Sequence, residues 1–355
     1  MCRFFHAIFS LLILLVCGCS GGGGFSAGSA AQNGRVIDPA SSFTGTSNAA
    51  LVTSDNAGDL ALGGFYGART GGVIGTFGSS SIAKSTVPGA GIPARELVQN
   101  LKLAARRLAI PKKAEELRQS QAAGGGGKVL ERSVISQVAG DNGGVASYSL
   151  EINDTTGSFN GSVNFQSYTS GSATFYGICD MQGSFDASRQ EVAQLTLSFK
   201  SLSMRQSSEY VLTGNISWTF AYSSSSETMD MNMVLKDVAN SKAYWFKNYK
   251  VVTIYGSSSL TQSLTGRYYD HDFGYVDLST DRVMVADYGA SWPREGTLNS
   301  SASGRWVKLI FLATTYRVQA DTNRDGVADW QVEKPSNTVT AVNQPPQAQA
   351  GVDQK

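Results

Sequence analysis

The stretch Gln194-Leu195-Thr196-Leu197-Ser198-Phe199 alternates polar and apolar side chains from residue to residue. Successive side chains of a β-strand point to opposite faces, so this alternation predicts a strand with one buried and one solvated face. Residues 147–152 repeat the pattern. Other runs rich in β-branched and aromatic residues, separated by Gly, Ser, Asn and Asp, predict strands at 210–220, 228–235, 243–255, 260–269, 282–288 and 305–312.

The turns between these runs are short, which favours antiparallel pairing of strands that follow each other in the chain. We therefore expect residues 128–335 to form a mainly β domain, an antiparallel meander that curls into a sandwich or an open barrel. An apolar-x-Gly-x-apolar pattern recurs around Gly161, Gly214 and Gly266. It indicates either a unit of several strands used about three times or the ordinary recurrence of glycine in β proteins.

The segment before this domain, residues 49–123, is predicted to be a short helical region. A Ser-Asp pair can cap a helix over 56–62, and the two glycines that follow are expected to keep it short. A longer amphipathic helix is predicted over 93–108, with proline in its first turn, and a shorter one over 112–121. The basic face of the longer helix indicates either contact with anionic lipid or a solvated surface above the β domain.

Residues 1–18 have the features of a secretory signal peptide. A basic Arg3 precedes an apolar run over 7–16, and small residues follow at the cleavage position. The run is too short to cross a membrane as a helix, which takes about 20 apolar residues. We therefore expect export and removal of this segment.

The residues Leu15-Val16-Cys17-Gly18-Cys19 resemble the lipobox of bacterial lipoproteins. The resemblance implies cleavage before Cys19 and attachment of acyl chains such as palmitate to that cysteine, which would anchor the chain to a membrane. Ser20 follows in place of aspartate, and by the same resemblance it implies the outer membrane, at its periplasmic or surface face. Residues 19–48 are rich in Gly, Ser, Ala, Thr and Asn, which predicts a flexible tether.

The cysteine count and the net charge restrict how the protein can be stabilised and which partners it can attract. If Cys19 is lipidated, Cys179 is the one cysteine left after cleavage, so no internal disulfide is expected and stability must come from a core. The formal net charge is +1, which gives no overall field for attracting nucleic acid. We expect no nucleic-acid partner.

The run from Asp321 to Asp329 reads Asp-Thr-Asn-Arg-Asp-Gly-Val-Ala-Asp. Oxygen-bearing side chains at alternate positions, with a glycine that permits a sharp turn, can surround one hard cation. The run resembles the calcium loops of EF-hand-like and thrombospondin type 3 repeats, although Val332 stands where an EF-hand has its bidentate acid. The alternative is a polar turn without metal. The expected Ca²⁺ ligands, which would stiffen a domain junction, are Asp321, Asn323, Asp325, the Val327 carbonyl and Asp329.

Two further resemblances concern the C-terminal part of the chain. The run Gly274 to Thr280, followed by Trp292-Pro293, resembles β domains of bacterial lipoproteins that have no assigned activity. Residues 336–355 are predicted to be a linker, in which 343–354 resemble the opening of PKD and related Ig-like domains of surface proteins. These resemblances imply a surface architecture and no chemistry.

Candidates for catalysis are few, and no enzymatic activity is expected. His271 lies between two aspartates in a stretch typical of a polar turn, and Cys179 lies in an apolar, strand-like stretch. The leading hypothesis is a lipid-anchored, non-enzymatic envelope scaffold that binds an unknown protein, glycan or apolar ligand. The alternative is a carrier or chaperone of an apolar ligand, which predicts an apolar cavity between the sheet and the helix that carries Leu97 and Leu108. A hydrolase around His271 is the third hypothesis.

Overall fold

The computed structural model describes residues 37–66, 131–140, 142–153, 156–170, 173–185, 192–205, 209–287 and 292–336. Several sequence predictions lie outside these ranges. They are the signal peptide, the acylated Cys19, the helices over 93–108 and 112–121, and the C-terminal linker.

The described residues form one antiparallel sheet in which each strand pairs with the next one along the chain. The predicted mainly β meander is therefore confirmed, as a single open sheet with β1 and β14 at its edges. The strands are β1 (Glu131–Ala139), β2 (Val145–Asn153), β3 (Ser158–Ser170), β4 (Ala173–Phe185), β5 (Val192–Arg205), β6 (Glu209–Ala221), β7 (Ser226–Asp237), β8 (Lys242–Tyr255), β9 (Ser259–Asp270), β10 (Gly274–Asp287), β11 (Glu295–Ala302), β12 (Arg305–Phe311), β13 (Thr315–Asp321) and β14 (Trp330–Pro335).

One face of the sheet, called the inner face below, carries the main core. In β11, for example, every second residue from Gly296 to Ala302 is buried, as the two-residue period of a strand requires. Cys179 is buried among apolar side chains of this face. The unbranched side chains of methionine fill irregular gaps, and those buried in this core are Met181, Met204, Met229, Met231, Met233 and Met284.

The three glycines of the weak sequence repeat share one structural role. Gly161, Gly214 and Gly266 lie in β3, β6 and β9, three strands apart. A Cβ atom at these positions would lie 2.0, 2.2 and 2.5 Å, respectively, from a carbonyl oxygen of the neighbouring strand. Only a residue without a side chain allows such close approach of two backbones, a known use of glycine within strands. The repeat therefore marks equivalent positions along the meander.

The one α-helix in the described part of the chain, α1 (Ala57–Tyr66), packs on the inner face against β9 to β13. The helix is short, as expected, but it continues through Gly63 and Gly64 and ends at Tyr66 instead of residue 62. A Cβ atom on Gly63 would lie 2.8 Å from the Tyr268 ring, and one on Gly64 would lie 2.7 Å from Leu278. Tight packing against the sheet thus overrides the low helix propensity of glycine.

Within the described ranges, no helix has both the length and the apolar character that a membrane span requires.

Residues 37–50, called the strap below, cross the opposite, outer face of the sheet. Ile37 exchanges two hydrogen bonds with the Asn215 side chain on β6, with N···O distances of 3.1 and 2.6 Å. Farther along, the Thr46 amide donates to the His271 carbonyl at 2.8 Å. The Tyr275 backbone bonds to the strap on both its amide and its carbonyl side. The predicted tether runs to residue 48, whereas its described residues, from Ile37 on, contact the sheet.

A second, smaller core lies under the strap. The ring of Phe43 packs against Trp245 and Tyr269, with centroid distances of 5.9 and 5.5 Å. Trp245 and Tyr269 stack on each other at 4.6 Å. Aromatic pairs of this kind contribute about 0.5–1.5 kcal/mol beyond the area that they bury. The strap is therefore held by side-chain packing as well as by backbone hydrogen bonds.

Candidate functional site

The Asp-rich loop between β13 and β14 contains all the predicted metal ligands. Asp321 ends β13 and is 1% exposed. Its two carboxylate oxygens accept hydrogen bonds from the amides of Arg324 at 2.7 Å and Gly326 at 2.9 Å. Asn323 and Asp325 each accept from the amide two residues later, at 2.9 and 2.8 Å. These are Asx turns, in which the side chain mimics a backbone turn and fixes the loop.

Asp329 closes the loop from its other end. Its carboxylate accepts from the Thr322 amide at 3.1 Å and from the Thr322 hydroxyl at 2.8 Å. The hydrogen bond from the hydroxyl is the main reason that the pKa of Asp329 lies below its ordinary value. Val327, whose carbonyl is the remaining predicted ligand, is 66% exposed. The loop therefore has defined ends and an exposed tip.

The donor set has the chemistry that Ca²⁺ prefers, because all the predicted ligands are oxygen atoms. Each carboxylate oxygen has lone pairs beyond the one that accepts an amide. In the described residues, however, no group of three or more His, Cys, Asp or Glu side chains lies close enough together to hold a metal ion. The loop is held by its own hydrogen bonds, and calcium binding stays a prediction.

The loop adjoins the hairpin formed by β11 and β12. Ser303 and Gly304 form its two-residue turn, with φ values of 53° and 77°, as hairpin turns with two left-handed residues require. A Cβ atom on Gly304 would lie 3.9 Å from the Arg324 side chain of the loop. Beside the turn is an open depression of about 370 Å³. Its lining residues are Asp277, Asn299, Ser301, Ala302, Ser303, Gly304, Arg305 and Trp306.

The depression follows from the register of three strands. Asp277 on β10, Ser301 on β11 and Trp306 on β12 are direct cross-strand partners, so they form one row on the outer face. The Arg267 guanidinium binds both oxygens of Asp277, at 2.6 and 2.9 Å. The same guanidinium lies 3.8 Å from the centroid of the Tyr275 ring. The carboxylate of the depression is therefore neutralised by a fixed arginine.

Other polar atoms of the depression lack hydrogen-bond partners. They are Oδ1 of Asn299 and the Nε and Nη1 atoms of Arg305, all shielded from solvent. A shielded donor or acceptor without a partner costs about 1–3 kcal/mol, and more when the group is charged. Among the ion pairs of the described residues, Arg305 and the adjacent Arg324 have no carboxylate partner. These two arginines thus lack a direct ion pair in the described residues, although Asp321, Asp325 and Asp329 of the loop lie near Arg324.

His271 and Cys179, the residues considered for catalysis, both make contacts typical of structural residues. His271 lies in the β9–β10 turn, where its Nδ1 accepts a hydrogen bond from the Ala243 amide at 3.2 Å. The neighbouring Asp272 pairs with Lys242 at 2.6 Å. Burial raises the pKa of the Cys179 thiol far above its ordinary value, which disfavours the nucleophilic thiolate. In this arrangement His271 serves as a hydrogen-bond acceptor and Cys179 as a core residue.

Comparison of the chain with models of known protein families, with curated proteins and with solved structures gave no match. The hairpin end was therefore found from geometry alone. Sequence reasoning singled out the Asp-rich loop but missed Asn299, Arg305 and Trp306. The Ser303-Gly304 pair between two alternating runs was the one signal that could have located the hairpin.

Proposed function

We propose that this chain is a lipid-anchored, non-enzymatic scaffold of the bacterial outer membrane, which displays the hairpin end of its sheet as a binding surface. The observation that carries the proposal is the strap. The strap, whose residues 37–48 are the end of the predicted tether, is fixed across several strands of the outer face. In a chain anchored at its N-terminus, these contacts would hold the end of the tether on the folded body.

The anchor has a direct test. The full-length protein is expressed in a Gram-negative host beside a Cys19→Ala variant, and each is extracted with detergent and weighed intact. We expect the wild-type mass to correspond to a chain that begins at Cys19 and carries acyl groups, whereas the variant carries none. Wild-type protein without acyl chains would refute the anchor and with it the proposed location.

Calcium in the Asp-rich loop is the second part of the proposal. A ligand that binds only the folded state stabilises it, by about 2.7 kcal/mol at one hundred times the dissociation constant. We expect added Ca²⁺ to raise the unfolding temperature of the wild-type protein but not that of Asp321→Asn. Asp230→Asn, which changes an exposed aspartate of β7, is the matched control and should respond like the wild type. If Ca²⁺ raised the unfolding temperature of all three proteins equally, the ion would bind at a site that does not include Asp321.

The carrier hypothesis requires an apolar cavity beneath the helix predicted over 93–108, which lies outside the described residues. The depression at the hairpin end is lined by charged and polar groups and does not meet that requirement. Native mass spectrometry of the purified full chain separates the two proposals. A bound apolar molecule of constant mass would favour the carrier.

A further inference from the structure

The outer face of the sheet bears an exposed apolar patch at the ends of β9 and β10 opposite the strap. Ile254 on β8 and Val283 on β10 are 51% and 48% exposed. Ile254 pairs across strands with Thr261, which in turn pairs with Val285, so these three side chains form one row. Val283 lies in the adjoining bulge of β10. Single exposed apolar side chains are normal, whereas a contiguous patch of them indicates an interaction site.

The patch, called the β-branched patch below, extends across β8 to β12. Its members on β11 and β12 are the cross-strand partners Thr297 and Ile310. Thr297 points to the outer face, because Gly296 and Leu298 on either side of it are buried. The six members are Ile254, Thr261, Val283, Val285, Thr297 and Ile310. Side chains with a branched Cβ are stiff at χ1, so they lose little freedom when another surface covers them.

The charged side chains that border the patch pair with each other. The pairs, each of one acid and one base, are Asp281–Lys308, Arg282–Glu295 and Asp287–Arg294. In the described residues this rim therefore carries three carboxylates and three cations, and its net charge is zero. Such a rim has no excess charge with which to attract nucleic acid or an anionic lipid surface.

An apolar centre with a neutral, mixed-charge rim is complementary to itself. In a twofold dimer, the same patch of both copies forms the interface. The apolar centre of one copy then faces the apolar centre of the other, and carboxylates of one rim can lie beside cations of the other. Two sheets can pack face to face in this way, with interdigitating side chains. These properties favour a second copy of the chain over a strongly charged partner.

We propose that the β-branched patch is the interface of a twofold homodimer, in which two sheets pack outer face on outer face. From strand spacing and rise per residue, the patch and its rim cover roughly 20 by 20 Å, or about 400 Å². That area is about half of the roughly 800 Å² per partner of a typical stable interface, so the dimer is weak. Anchoring of the copies in one membrane would raise their effective concentration, but the interface itself does not depend on the anchor.

Cysteine cross-linking of the full-length protein in detergent micelles tests the interface. Since β10 is the middle strand of the patch, Val283 lies near the proposed twofold axis, and two copies of Val283→Cys come within reach of a short bismaleimide. Ile178→Cys, at an isoleucine of β4 that is 60% exposed, is the matched control. The wild type, in which Cys179 is buried, gives the background. We expect the covalent dimer to form at least fivefold faster for Val283→Cys than for Ile178→Cys.

Equal rates for these two cysteine variants would overturn the inference. A membrane is the other surface that an exposed apolar patch can meet. If lipid vesicles slowed the reaction of Val283→Cys with a monofunctional maleimide and no covalent dimer formed, the patch would rest on lipid, and the inference would also be wrong.

A second substitution in the Val283→Cys protein tests the apolar centre. Ile254→Asp places a charge in the apolar row and should slow cross-linking at least fivefold. Ile178→Asp makes the same change on β4 and should leave the rate as it was. An unchanged rate with Ile254→Asp would show that the copies do not meet through this patch.

The rim is tested by exchange of charge, again in the Val283→Cys protein. Arg282→Glu gives the rim an excess of negative charge, and Glu295→Arg gives it an excess of positive charge. Each variant alone should cross-link more slowly than its parent, because two like-charged rims repel each other. An equal mixture of the two variants should cross-link faster than either one alone. A mixture that is no faster would refute charge complementarity between the copies.

Discussion

The Thr280 hydroxyl takes the place of backbone hydrogen bonds that are missing between β9 and β10. Strands β9 and β10 pair at Tyr268 with Val276 and again at Gln262 with Met284, but not in the bulge between. Within that gap the Thr280 hydroxyl accepts a hydrogen bond from the Leu264 amide at 2.7 Å and donates one to the Leu264 carbonyl at 3.0 Å. One side chain thus satisfies both backbone groups that a neighbouring strand would otherwise bind.

The variant Thr280→Val keeps the shape of the side chain and removes the hydroxyl. The amide and the carbonyl of Leu264 then both lose their partner, and each unsatisfied buried group costs about 1–3 kcal/mol. Since Thr280 is only half-buried, water can reach part of the gap, and we expect a total loss of about 2–4 kcal/mol. For a domain of this size, that loss corresponds to an unfolding temperature lower by about 5–15 °C.

Urea unfolding, followed by circular dichroism, measures the loss. Thr280→Ser retains the hydroxyl and should stay within about 1 kcal/mol of the wild type. Thr297→Val on β11, a threonine for which the described residues show no side-chain hydrogen bond, controls for the loss of a hydroxyl as such. Equal stability of Thr280→Val and Thr280→Ser would show that the hydroxyl does not support the ladder, and the reasoning would fail.

Three further predictions concern the strap, the core and the loop. Phe43→Ala should lower the free energy of unfolding by about 1–2 kcal/mol through lost packing, and it should accelerate hydrogen exchange at the Ala50 amide. Unchanged exchange would mean that the strap is held without the Phe43 ring. Cys179 has a raised pKa when folded, so the free energy of unfolding should fall as the pH rises above the ordinary thiol value of 9.0. Cys179→Ala should make that slope smaller in pH-dependent urea unfolding, and the remaining slope comes from tyrosines such as Tyr268, whose pKa is also raised by burial. The pKa of Asp329 is lowered mainly by Thr322, so an NMR titration of Thr322→Val should show it nearer to the ordinary value, and an unmoved pKa would contradict this cause.

The strand order could be predicted because it depends on local pattern. A long alternating run such as that of β6 buries one face, and short turns leave a following strand no partner nearer than the preceding one. Strands β3 and β11 were missed as strands because glycine, serine and asparagine weaken their alternation. These two strands form because the strands on either side supply hydrogen-bond partners. The local sequence of one strand does not show which partners its neighbours supply.

The candidate site was predictable only in part, for a similar reason. The Asp-rich loop is contiguous, so its residue types and spacing are visible in the sequence. The depression combines β10 with the β11–β12 hairpin, and its row of Asp277, Ser301 and Trp306 exists only once the register is set. The absence of a partner for Arg305 is likewise a property of packing. Periodicity alone does not show which cations the fold leaves without a carboxylate.

Tyr275 connects the strap to the hairpin end. Its backbone amide and carbonyl bond to Asn48 and Ala50 of the strap, each at 2.9 Å. Its ring lies under the guanidinium of Arg267, which in turn holds the Asp277 carboxylate. Displacement of the strap at Tyr275 therefore changes the support of the arginine that neutralises Asp277. The strap and the Arg267–Asp277 ion pair thus both contact Tyr275, the strap through its backbone and the guanidinium through its ring.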